Sequence, residues 1–140
     1  GLGWYLLNTN QETGERKTEA LPGEAMKQVE SSDNISVRVI VFTEHGYDPI
    51  ESLAAVGETV VFKNRSNRDV WTATDIHPQH RVYPGSDIQK CFSGESREGL
   101  FDSCEGVPPG GEWSFTFTES GEWSFHNHLR AAEKGKITVQ

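Results

Sequence analysis

The chain has 140 residues, of which 34% are hydrophobic and 24% are charged, and its formal net charge is −8. This acidic balance offers no basic stripe, which argues against nucleic acid and anionic membrane surfaces as partners. The length fits one domain with a modest core and some extension. The sequence has no run of about 18 apolar residues, which argues against an intact transmembrane helix.

Residues 1–34 are polar, lack a sustained hydrophobic period and are predicted to form an N-terminal extension or spacer. The extension is expected to be irregular or short-helical, because Pro22 precedes residues 23–30 and proline suits the first turn of a helix. Residues 1–7 are consistent with the trimmed end of a signal or membrane anchor. The folded domain is predicted to span residues 35–140.

The hydrophobic pattern of the sequence changes at Ile35, where β-branched residues begin to alternate with polar ones. Strands are predicted at 35–42, 59–64 and 69–75, with a weaker or edge strand at 50–56 and turns at 46–49 and 65–68.

A long connection is predicted over residues 76–110, and it contains both cysteines of the chain. Cys91 and Cys104 do not fit a CxxC motif, so a disulfide is the favoured interpretation. Such a bridge would be worth roughly 3 kcal/mol by loop closure, and it indicates an extracytoplasmic protein. The alternative is that Cys104 stays free and ligates a metal.

The sequence Gly-Glu-Trp-Ser-Phe occurs at 111–115 and again at 121–125, which predicts a hairpin with aromatic side chains on one face of each arm. A last strand is predicted at 136–140. Six strands and one weaker strand, with no long helix after residue 35, predict an all-β fold, a Greek-key β-sandwich.

Two histidines mark the end of the second arm of this hairpin. His126 and His128 are two residues apart, and positions i and i+2 of a strand share a face. Two imidazoles on one face beside a loop form a candidate metal half-site. His45 lies beside a glycine in a turn and is expected to be a surface residue.

Several segments of the chain, taken in order, resemble the cupredoxin family. They are Val-Gly-Glu-Thr-Val-Val-Phe-Lys-Asn at 56–64, Val-Pro-Pro-Gly-Gly-Glu at 107–112, the strands at 115–117 and 121–125, and Lys-Gly-Lys-Ile-Thr-Val at 134–139. The resemblance covers about residues 35–140. It implies a cupredoxin-like sandwich with copper as the cofactor.

The resemblance also shows a departure, because blue-copper members carry a Cys ligand where this chain has none. Counting back from Gly135 places Phe125 at the Cys-like position and Glu133 at the Met-like position. Aligning Phe-His-Asn-His on the family's Tyr-His-Cys-His places Asn127 there instead, and this second alignment is preferred. His126 and His128 would then face away from the usual copper pocket, unless the strand ends before His128. Trp71 lies about where the early His ligand is expected.

A blue site needs a copper–thiolate bond, so the family resemblance implies a non-blue, histidine-rich site here. Cupredoxins bring the two histidine-bearing regions together. The candidate ligands are His77, His80, His126 and His128, with Glu133 or Asp75 as oxygen ligands. Such a set suits Cu(II), and also Zn(II) or Ni(II).

Three functions are compatible with this set. The first is copper binding, copper delivery or electron transfer, with a redox or copper-transfer protein as partner. The second is a mononuclear copper enzyme of oxidase, reductase or dismutase type, which would need an open coordination position. The third is a metal-free β-sandwich for adhesion or assembly, with Trp71 in place of a ligand.

Overall fold

Two four-stranded sheets account for most of residues 37–140, the part of the chain that the computed structural model describes. The predicted extension at 1–34, its short helix and the anchor remnant lie outside these residues. The strands in chain order are β1 Val37–Thr43, β2 Gly46–Asp48, β3 Glu51–Ala54, β4 Thr59–Asn64, β5 Thr72–Thr74, β6 Glu112–Thr116, β7 Gly121–Asn127 and β8 Arg130–Val139.

The strand order is β2-β1-β4-β6 in one sheet and β3-β8-β7-β5 in the other. Both sheets are mixed. The first has one parallel pair, β1 with β4, and the second has one parallel pair, β3 with β8, while all the other pairs of neighbouring strands are antiparallel. The prediction of a β-sandwich is confirmed. No helix of the described part of the chain has the length and apolar character to span a membrane.

Alternation within the strands builds the core between the sheets. In β4, Val60 and Phe62 are buried while Val61 is only partly buried, as a period of two requires. Aromatic rings fill the interior, and Phe62 meets Phe125 of the other sheet at a centroid distance of 5.5 Å. These edge-to-face aromatic contacts position β7, which carries two of the candidate ligands.

Two elements differ from the sequence prediction. Gly46–Asp48 is a short strand rather than only a turn, because Tyr47 is buried against Phe42 and Phe125 at 5.1 and 4.9 Å. The last strand begins at Arg130 rather than 136, because its pairing with β7 continues past an irregularity between Arg130 and Lys134.

The connection at 76–110 is held at several points. A 3₁₀ helix spans Ile88–Phe92, and a disulfide joins Cys91 to Cys104, as predicted, with 5.4 Å between the Cα atoms. Phe101 and Tyr83 enter the main core, whereas Asp102 forms an isolated bridge with Ala73 of β5. The loop is therefore attached to the edge of the sheet that contains β7.

Candidate metal centre

Four imidazole rings converge where the 76–110 connection crosses the end of β7. Ring centroids lie 4.8–6.3 Å apart for five of the six pairs formed by His77, His80, His126 and His128. We call these four residues the histidine cluster. The two regions that the sequence singled out are thus brought together, whereas His45 is exposed in its turn, as expected.

Strand pairing sets the floor of the histidine cluster. Ala73 lies opposite His126 in the β5–β7 ladder and opposite Asp102 in the isolated bridge. Residues opposite each other share a face of the sheet, so these three side chains point the same way. Phe125, one residue before His126, points into the sandwich core. The histidine cluster therefore lies on the outer face of the sheet, and the small side chain of Ala73 leaves room for it.

His80 is fixed by its backbone and by a carboxylate. Its φ of 61° is in the left-handed region, which non-glycine residues seldom adopt and which is often found at functional sites. The ring is fully buried, and its Nδ1 lies 2.7 Å from Oδ2 of Asp102. Because a carboxylate only accepts, Nδ1 donates and Nε2 keeps its lone pair for the cluster.

His126 has the same arrangement with a second carboxylate. Its Nδ1 donates to Oδ1 of Asp75 at 2.6 Å, which leaves Nε2 without a proton. This Nε2 is buried and has no hydrogen-bond partner. A buried polar atom left unsatisfied costs about 1–3 kcal/mol, so its position needs an explanation.

His128 comes just after β7 ends at Asn127, so it is released from strict alternation. Its backbone N–H donates to the Trp71 carbonyl at 2.7 Å, and its ring packs on the Trp71 indole at 4.5 Å. Its Nδ1 lies 3.1 Å from Nε2 of His80. Burial lowers the pKa of His128, and the neighbouring imidazoles lower it further, which favours the neutral form that binds metals.

The two carboxylates behind the rings have different surroundings. Burial acts to raise the pKa of Asp75, but hydrogen bonds from His126 and Ser124 and the nearby Lys134 charge leave it below its ordinary value. Asp102 is buried and accepts from Trp71 Nε1 at 2.7 Å and from the Cys104 N–H at 2.8 Å. Asp75, one of the predicted oxygen ligands, accepts a hydrogen bond from His126, one of the predicted nitrogen ligands.

Glu133, the other predicted oxygen ligand, lies in a separate network. It pairs with Arg68 through two bonds of 2.9 and 2.6 Å and accepts from Asn127 Nδ2 at 3.0 Å. Burial acts to raise the pKa of Glu133, but Arg68 and Asn127 outweigh it and hold the pKa below its ordinary value. Asn127 Oδ1 accepts from the N–H groups of Trp71 and Leu129. The position aligned with the family's Cys is thus occupied by a hydrogen-bonded amide.

These observations test the fit of a metal ion. The Asn127 network offers no soft ligand, and both cysteine sulfurs are in the disulfide, so a blue site with a copper–thiolate bond does not fit. The histidine cluster does fit: ligand atoms of His80, His126 and His128 all lie within 4.8 Å of one another. His128 Nδ1 and His80 Nε2 lie 3.1 Å apart, a hydrogen-bond distance at which one ring donates to the other, so one of these nitrogens would have to release its proton to bind an ion.

Comparison with solved structures gives the same class of fold. A purple cupredoxin from Nitrosopumilus maritimus is 18% identical, with a TM-score of 0.56 over 74% of this chain and 99% of that one. A Cu(I) form of an amicyanin variant is 18% identical, with a TM-score of 0.52 over 74% and 82%. A reduced Cu(I) form of another amicyanin variant is 20% identical, with a TM-score of 0.54 over 74% and 82%.

Residues 37–140 therefore have the cupredoxin fold, and the resemblance seen in the sequence is confirmed at the level of the fold. On this fold the chain carries a histidine cluster that could hold a metal ion. No protein-family model matches the sequence, and a comparison with curated proteins finds no match.

Proposed function

We propose that this protein binds copper through His80, His126 and His128, with His77 at the entrance, and serves in copper binding and delivery or in electron transfer. The observation that carries the proposal is the buried, unpartnered Nε2 of His126, facing a cluster of imidazoles. A metal ion would satisfy this atom, whereas a purely structural histidine would be expected to find a protein partner.

Two arguments favour copper among the metals that imidazole accepts. Among divalent first-row metal ions, Cu(II) binds nitrogen ligands most tightly. The structural neighbours include amicyanin variants in a Cu(I) form, so the fold accommodates copper in other proteins. Bound copper would supply one-electron redox chemistry, and the absence of a thiolate ligand predicts a weakly coloured, non-blue centre.

The division of the cluster supports a role in exchange. His80 and His126 are buried and fixed by Asp102 and Asp75, whereas His77 is exposed on the connection. His77 would bind an incoming ion first, and the fixed rings would retain it. This arrangement suits a protein that receives copper from, or passes it to, a protein partner. The disulfide supports an oxidising, extracytoplasmic location for that exchange.

The test is titration of the purified chain with Cu(II), followed by electron paramagnetic resonance. We expect one bound ion per chain and a non-blue spectrum with splitting from several nitrogens. The His128→Ala variant and the His126→Ala, His128→Ala double variant should bind at least about tenfold more weakly. The exposed His45→Ala variant is the matched control and should bind like the wild type.

Circular dichroism of each variant separates lost ligands from lost folding. Unchanged affinity in folded His128→Ala and double variants would refute the assigned ligands. A chain that binds no copper would refute the function and leave a metal-free interaction module as the alternative.

A further inference from the structure

The carboxylates behind the histidine cluster carry an excess of negative charge. Asp102 has no exposed side-chain surface, and among the described residues it forms an ion pair with no lysine or arginine. Its partners are an indole N–H, a backbone N–H and the ring of His80. Both N–H donors meet Oδ1, and neither of them carries a full positive charge.

Asp75 adds a second negative charge to the same place. It binds His126, and the nearest cation is Lys134, whose Nζ is 3.8 Å away on a side chain that is 59% exposed. Solvent weakens that pair, so it offsets little of the charge. In the described part of the chain, no buried lysine or arginine lies beside these two carboxylates to balance their charge.

We propose that these two carboxylates match the histidine cluster to a divalent ion, so that it holds Cu(II) in preference to Cu(I). A doubly charged ion neutralises both carboxylates, whereas a singly charged ion leaves one uncompensated in a site of low dielectric. Asp75 and Asp102 are positioning residues that also set the charge. This inference rests on the proposed copper function and adds the oxidation state that the site selects.

Asn substitutions separate charge from geometry. Because Asp75 meets His126 through one oxygen, the amide oxygen in Asp75→Asn can replace it and only the charge is lost. Asp102 is different, because Oδ1 accepts two N–H groups while Oδ2 meets His80. In Asp102→Asn the amide NH₂ would face His80 and shift its proton onto Nε2. Glu112 is exposed on β6 of the other sheet. Glu112→Gln removes an equal charge there and is the matched control.

The experiment measures Cu(II) and Cu(I) affinities by chelator competition, the latter without oxygen, together with the reduction potential of the bound ion. In Asp75→Asn we expect Cu(II) affinity to fall about 10- to 100-fold and Cu(I) affinity less than about threefold. The reduction potential should rise by about 59 mV for each tenfold fall in the ratio of Cu(II) affinity to Cu(I) affinity. Asp102→Asn should lower the affinity for both oxidation states, and for Cu(II) more than for Cu(I). Glu112→Gln should leave both affinities unchanged.

Equal losses of Cu(II) and Cu(I) affinity in folded Asp75→Asn, with an unchanged potential, would overturn the charge-matching proposal while leaving copper binding intact. If Asp75→Asn fails to fold by circular dichroism, the ratio of Cu(II) affinity to Cu(I) affinity in Asp102→Asn is decisive. An unchanged ratio would overturn the charge-matching proposal. A wild-type chain that binds neither form would overturn the copper function itself.

Discussion

The floor of the histidine cluster provides a direct test of where the metal binds. Ala73 is fully buried and lies between His126 and Asp102 on the outer face of the sheet. Ala73→Val adds two carbon atoms there while suiting a strand. Overpacking of this kind costs typically about 1–3 kcal/mol of unfolding free energy, so the domain should still fold.

The effect on copper should be larger than the effect on folding. The candidate ligand atoms of His80, His126 and His128 lie within 4.8 Å of one another, and a metal ion would tolerate departures of only about 0.2 Å in its ligand distances. A methyl group opposite His126 that displaces its ring would remove one of the three proposed ligands. We expect Cu(II) affinity to fall at least about 100-fold, measured by titration, and the unfolding free energy to fall modestly in urea.

Ala54→Val is the matched control. Ala54 is a buried alanine in β3, at the far edge of the same sheet, and the same two carbons are added there. It should lose comparable stability and keep its copper affinity. If Ala73→Val bound copper like the wild type, the outer face of β7 would not be the metal site.

Two further predictions concern the supporting structure. Because Arg68 and Asn127 lower the pKa of Glu133 in the folded state, this carboxyl stabilises the fold above its unfolded pKa of about 4.3, and the contribution is lost as the pH falls through the lower folded pKa. Glu133→Gln should therefore flatten the acid limb of the stability–pH curve without changing copper affinity; an unaltered acid limb would contradict the pairing. Denatured, non-reduced protein should contain no free thiol, and reduction should cost roughly 3 kcal/mol of stability. Reduction should also weaken copper binding, because the Cys104 N–H helps to hold Asp102; two free thiols before reduction would refute the bridge.

Local patterns were enough to predict most of the sandwich. The alternation in β4 and the repeated aromatic hairpin predicted strands because one face of each is buried in a common core. Gly46–Asp48 was predicted as a turn, because the burial of Tyr47 depends on Phe125, a residue far along the chain. The start of β8 was missed since its irregular pairing with β7 has no sequence signature.

At the candidate metal centre, contacts between distant residues limit prediction from the sequence even more. Residue type and spacing pointed to His126 and His128, but no spacing points to Asp102, which the fold brings to His80 through long-range contacts such as its bridge to Ala73. Glu133 was predicted near the metal by its place in the loop of the family pattern. In the structure its carboxylate pairs with Arg68, because a guanidinium donates two parallel hydrogen bonds to a carboxylate.

Trp71 links the cluster to an optical signal. Its indole lies on His128 at 4.5 Å and donates to Asp102, while Trp113 and Trp123 pack against the hydrophobic core. A paramagnetic ion held by these histidines would lie beside the Trp71 indole and would quench its emission. The chain thus contains its own fluorescent reporter of occupancy, and loading could be followed in unlabelled protein at micromolar concentration.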